Sequence, residues 1–104
     1  MKENVIKNKS FDFAIRIVKL YQYLCADKKE FVLSKQLLRS GTSIGAMIRE
    51  AEHAESKQDF IHKFAIAQKE ANEVVYWLEL LKATDYLTAK EFENIKLTVY
   101  ILFK

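Results

Sequence analysis

The chain has 104 residues, half of them apolar, and its 17 lysines and arginines stand against 14 aspartates and glutamates for a formal charge of +3. That is enough for one domain with a substantial core, and too little net charge to demand a polyanionic partner. The single cysteine, Cys25, has no internal partner, and no basic start with an apolar centre and small-residue cleavage site opens the chain. Charged residues also interrupt every run approaching the roughly 18–20 apolar residues of a membrane span, so a cytoplasmic protein is expected over a disulfide-stapled or membrane-spanning one.

Proline is absent and glycine occurs only at Gly41 and Gly45, which leaves few places to break a helix. Ser10 reads as the N-cap of a first helix over about 10–27. Its polar positions Asp12, Arg16, Lys19 and Gln22 form a narrow band. Phe11, Phe13, Ala14, Ile17, Val18, Leu20, Tyr21, Leu24 and Cys25 cover an arc of roughly 200°, about twice what one core-facing side requires.

A turn at Asp27, Lys28 and Lys29 leads to a second helix over about 30–54, with Leu33, Leu37, Ile44, Ile48 and Ala51 as its core stripe. Within it, LLRSGTSIGAMIREA holds both glycines. Each costs a helix about 0.8–1 kcal/mol against alanine, so a compensating gain is expected. Two missing side chains four residues apart open a groove for a neighbouring helix, with Phe11, Phe13 and Tyr21 as the aromatics to fill it. A bend at Ser40 to Ser43 is the competing expectation.

Ser56 with Asp59 starts a third helix, about 56–83, and Thr88 with Glu91 starts a fourth, about 88–104, after the turn Asp85-Tyr86-Leu87. The third puts Phe60, Phe64, Ala67, Ala71, Val74, Val75, Leu78 and Leu81 on one side, with a second strip through Ile66, Trp77 and Leu80. The fourth offers Phe92, Ile95, Val99 and Leu102, with Leu97, Tyr100 and Ile101 pointing away. Short connections make neighbours antiparallel, so the chain is expected to be all-α, a single up-down-up-down four-helix bundle over 1–104. The excess apolar faces predict an oligomer, against a monomer whose bundle is simply hydrophobic.

The segments SFDFAIRIVKLYQYL, SKQLLRSGTSIGAMIREA and SKQDFIHKFAIAQKEANEVVYWLELL, in that order, resemble the four-helix-bundle family of 23S rRNA intervening-sequence proteins. The resemblance runs from about Ser10 to Leu87. It is carried by Gln36-Leu37 with Arg39 and Ser40, Ser43-Ile44, Ile48 with Glu50, Asp59-Phe60, and Glu70 and Glu73 ahead of Trp77-Leu78. One departure is Met47, where the family's pattern has asparagine, so any polar role of that position is lost or replaced. The resemblance implies a ring-like homopentamer and, through a related branch that accompanies diversity-generating retroelements, an association with nucleic acid. It implies fold far more than activity.

Glu70 and Glu73 share a largely apolar flank with Ile66, Trp77 and Leu80, where carboxylates need cations. Arg39, Arg49 and Lys35 are candidates, and a charge network of Arg39, Arg49, Glu50, Glu70 and Glu73 is the expected reading, with a solvated acidic flank as the alternative. Glu50-Ala-Glu-His53 fits the Glu-x-x-His spacing of di-iron bundles and Asp59-Phe-Ile-His62 approximates it, but both lie at the bundle end, so no metal is expected, and a small metal- or ligand-binding bundle using His53, His62 and nearby carboxylates is the alternative function. No nucleophile, histidine cluster or phosphate-cradling loop accompanies the acids, so no enzyme, cofactor or small-molecule substrate is expected. Cys25 reads as a small buried hydrophobe. Arg16, Lys19, Lys35, Lys63 and Lys69 are the cations available to RNA or DNA, and in a five-fold ring each would repeat into a circle of charge.

Overall fold

The computed structural model describes residues 2–103, and side chains from Val5 onward. Four helices follow one another: α1 (Lys2–Ala26), α2 (Leu33–Glu52), α3 (Lys57–Ala83) and α4 (Ala89–Leu102). Contacts run α1 to α2, α2 to α3, α3 to α4 and α4 back to α1, with no diagonal pair among the described residues. The helices therefore stand at the corners of a square, alternately up and down, and the α1–α4 face is opposite the α2–α3 face. Among the described residues no helix is long and apolar enough to cross a membrane.

The two helix starts with reciprocal side-chain signals fold as their sequences specify. Ser56 Oγ accepts the Asp59 N–H at 3.1 Å, although the Asp59 carboxylate reaches one residue further back, to the N–H of Glu55. Thr88 and Glu91 form the complete capping box. The expected fourth helix runs on to Lys104, which lies outside the described residues, as does Met1 at the other end.

The other two starts differ from expectation. Ser10 is not an N-cap, because α1 already begins at Lys2; its buried hydroxyl donates to the Lys7 carbonyl inside the helix. Val5 and Ile6 extend the apolar spacing upstream, and a serine satisfied by its own helix is small enough for a close helix contact. Nor does Glu30 open α2. Its own N–H donates to the Leu24 carbonyl, and its buried carboxylate accepts the N–H groups of Val32, Leu33 and Ser34 at 3.2, 2.9 and 2.7 Å. Glu30 thus serves the free N–H groups at the start of α2 from three residues before it, with Lys29 at φ 56° making the turn possible. At the other end α2 stops at Glu52, two residues short of the expected Ala54.

The core comprises Phe13, Ile17 and Leu24 of α1, Leu37, Ile44 and Ile48 of α2, Ala67, Ala71, Val74, Leu78 and Leu81 of α3, and the whole Phe92, Ile95, Val99, Leu102 stripe of α4, with Leu87 of the last turn. Leu33, Phe64 and Val75 are half-buried, and Phe60 is exposed. The reason lies in helix length. At 1.5 Å per residue, α4 spans about 21 Å against about 40 Å for α3, so the first turns of α3 extend past its cover. Phe60 stacks there on Phe64, whose ring meets the edge of Phe103 at 5.7 Å.

The α1–α2 contact is built on small residues. Gly41 lies against Ile17, Gly45 against Ser10, and Ser34 Oγ stands 3.8 Å from Cys25 Sγ. The groove expected at the two glycines therefore exists, but Ile17 and the backbone of Ser10 occupy it, in place of Phe11, Phe13 and Tyr21. An aliphatic side chain and a serine allow the two helix axes to come closer than a ring would. Helix α2 is continuous through Ser40 to Ser43, whose hydroxyls donate to carbonyls one turn back. Cys25 is half-buried, and its thiol, one turn along α1, holds the Tyr21 hydroxyl above its ordinary value.

Candidate functional site

Two surfaces stand out, one on each side of the square. The first is the outer seam between α2 and α3. Arg39 projects from α2 across it to two carboxylates of α3, at 2.8 Å from Glu73 Oε1 and 3.6 Å from Glu70 Oε2. One guanidinium thus serves two acids. Glu70 is the more buried of them, and its Oε1 is enclosed with no hydrogen-bond partner among the described residues. Two turns along, the indole N–H of Trp77 is also enclosed without an acceptor, the ring lying edge-on to Tyr76 at 5.0 Å. Met47, Ile66, Trp77 and Leu80 are half-buried along this seam. Met47 thus extends its apolar floor, where an asparagine would have placed an amide.

Of the remaining acids and bases expected in one network, none joins this cluster. The Arg49 guanidinium sits 5.2 Å over the ring of Phe11, on the α1 side of α2. Glu50 lies three turns further along the same side of α2 and accepts from Lys63 at 3.1 Å; that hydrogen bond, and then the charge of the carboxylate, hold Lys63 above its ordinary value. Helical position decides this: Arg39 and Glu50 lean toward α3, whereas Arg49 leans toward α1. Lys35 is exposed near the start of α2, outside the cluster.

Glu50, His53 and Asp59 border a shallow cleft at the hairpin end of α2 and α3, together with Arg49 and Lys63. His62 is exposed and does not line it. Glu50 is engaged by Lys63 and Asp59 by the N-terminus of α3, so two of the four residues with metal-ligand spacing already have other partners. Among the described residues no three His, Cys, Asp or Glu side chains gather as ligands.

The second surface is the α1–α4 face. Ile15 of α1 and Leu97, Tyr100 and Ile101 of α4 are between 41% and 58% exposed, while Phe11 and Val18 are exposed on the α2 side of α1, so apolar area continues around the outside of both helices. Leu97, Tyr100 and Ile101 are the residues whose spacing turns them away from the core stripe, and Ile15 joins them although the polar band of α1 conceals it. A groove between the two helices is floored by Phe13, Ile101 and Leu102 and edged by Lys9, Asp12 and Arg16. Arg16 closes part of it with a 3.1 Å bond to Asn94. Of the five cations expected to be available to a polyanion, Lys19, Lys35 and Lys69 are exposed, Arg16 is tied to Asn94 and Lys63 to Glu50.

Comparison with known proteins fits this geometry. The family model described as 23S rRNA-intervening sequence protein matches residues 2–103. Among solved structures, a protein of unknown function from the S23 ribosomal protein family of Bacteroides thetaiotaomicron is 59% identical, with a TM-score of 0.96. The match covers 98% of this chain and 91% of that one. Among curated proteins there is no match.

Proposed function

Because this chain belongs to the 23S rRNA-intervening sequence protein family, we propose that it acts in the cytoplasm as a non-enzymatic assembly protein, a ring-like homopentamer that binds structured RNA or DNA. The observation that carries the assembly is the outer surface of α1 and α4, where six large apolar side chains stand exposed on the two helices. A second protein surface is what such a patch fits. The number five comes from the family resemblance.

Support for nucleic acid is electrostatic. Lys19, Lys35 and Lys69 are exposed on three helices, too dispersed for one chain to hold a phosphate backbone. A ring repeats each of them five-fold, and several weak contacts made together bind far more strongly than any one of them. The role we propose is one of holding a partner, with Arg39 paired to both acids of the seam.

The test is the mass of the purified protein by light scattering, with and without nuclease treatment and at low and high salt. A pentamer whose bound nucleic acid is released by salt is the expected result. A monomer at all concentrations would remove the assembly reading, and retention of RNA or DNA independent of salt would remove the electrostatic one.

A further inference from the structure

The positive excess of the chain is confined to its first half, since residues 55–104 hold one more acid than base. Between Val5 and Glu52 most charges are already engaged. Glu52 pairs with Lys7, Glu50 with Lys63 and Arg39 with Glu70 and Glu73, while Glu30 serves the N–H groups of α2. Lys9, Asp12 and Arg16 border the α1–α4 groove, with Lys19 on the same stripe of α1. Asp59, which shares the hairpin-end cleft with Arg49, accepts the Glu55 N–H. What remains on the α1–α2 side is Lys28, Lys29, Lys35 and Arg49, opposed only by Asp27 in the turn.

These cations flank an aromatic and apolar strip. Lys35, Leu38, Thr42 and Arg49 recur along one edge of α2, and Phe11, Val18 and the half-buried Tyr21 along the facing edge of α1. Gly45 against Ser10 and Ser34 beside Cys25 fix the register of the two edges. Phe11 is 52% exposed with the Arg49 guanidinium over its ring, and Arg49 makes no ion pair among the described residues. From Lys35 to Arg49 the strip runs about 21 Å.

We propose that this α1–α2 strip binds single-stranded nucleic acid, with Lys35 and Arg49 on its phosphates and Phe11 and Tyr21 against its bases. The inference rests on the nucleic-acid reading above and gives it a site. Phosphates require cations alone, whereas rings exposed between cations fit unstacked bases, which a duplex does not offer. Lys35, far from Lys19 and Lys69, thus acts with neighbours on its own face.

Fluorescein-labelled oligo(U) and the oligo(A)·oligo(U) duplex are titrated by anisotropy over a range of salt. Mass by light scattering and thermal unfolding accompany each variant, because Phe11 and Val18 are also two of the six exposed apolar side chains of α1 and α4. The single strand is expected to bind more tightly than the duplex. Lys35→Ala with Arg49→Ala, both exposed, lowers the salt slope by about 0.7 for each cation removed. Phe11→Ala weakens binding about ten-fold at an unchanged slope, and Phe11→Trp restores it. Lys90→Ala, exposed on α4, changes neither. Equal binding of the duplex, or a Lys35 and Arg49 double variant that binds as wild type, overturns the site while the nucleic-acid reading stands. Phosphatidylglycerol vesicles or polyglutamate held in preference to oligo(U) assign the strip to another polyanion and overturn it too. A wild type that binds neither strand form at low salt overturns both.

Discussion

A Cβ placed on Gly41 would stand 2.7 Å from Cγ2 and 2.9 Å from Cγ1 of Ile17, a buried β-branched side chain at the centre of the α1–α2 contact. No rotamer of Ile17 clears both distances easily, because its two branches are held by the surrounding core. Gly41→Ala is therefore expected to destabilise the protein by about 1–3 kcal/mol, despite alanine's better helix propensity. Ile17→Ala in the same chain should make the two effects less than additive in denaturant unfolding.

Gly45 behaves differently. Its nearest neighbours would be the Ser10 carbonyl oxygen and hydroxyl, both at 3.5 Å, which is ordinary contact for a methyl group. Gly45→Ala should therefore be neutral or stabilising by up to about 1 kcal/mol, whereas Gly45→Leu has no room and should destabilise. Equal losses for alanine at both glycines would contradict the spacing described.

Glu30 holds the start of α2. Burial pulls its carboxyl upward, but the N–H groups of Leu33, Ser34 and Val32 outweigh burial and hold it below its ordinary value. A carboxyl depressed on folding stabilises the protein above its unfolded-state value and loses that contribution as pH falls through the folded value. Glu30→Gln should cost about 1–2 kcal/mol near neutral pH by chemical unfolding, and the gap to wild type should close in acid. A gap that persists unchanged at low pH would show that shape, not charge, is what Glu30 supplies.

Arg39 and Lys63 both bridge α2 to α3, yet they differ in what they leave behind. Removing Arg39 strands Glu70, whose side chain is only 14% exposed, so Arg39→Ala should cost about 1–3 kcal/mol, beyond the value of a surface pair. Glu50→Ala removes a partner of Lys63 at an exposed site and should leave the melting temperature unchanged. Similar melting shifts for the two would indicate that Glu70 is well solvated without Arg39.

If the assembly binds a phosphate backbone, log affinity should fall linearly with log salt concentration. Lys35→Ala with Lys69→Ala should flatten that slope, because both are exposed and make no ion pair among the described residues. Arg16→Ala should change it less, since its guanidinium is already engaged by Asn94. An unaltered slope in the double variant would place the contacts elsewhere.

The sequence by itself determined the number and order of the helices, the starts of α3 and α4, the buried stripe of α4 and the surplus of apolar surface on α1 and α4. Each of these depends on hydrogen bonds or spacing within a few residues, as with Thr88 and Glu91 or Phe92, Ile95, Val99 and Leu102. Ser10 and Glu30 misled for the same local reason. A serine before an apolar run looks like a cap whether or not an upstream turn continues the helix, and a glutamate before one looks like its first residue even when its carboxylate turns back to cap it. Tertiary structure alone decided that Ile17, not an aromatic ring, fills the space beside Gly41, and that Arg39 serves both Glu70 and Glu73 while Arg49 turns to Phe11. Those choices follow from how helices far apart in sequence rotate against one another, and the rotation is set by packing the whole core at once.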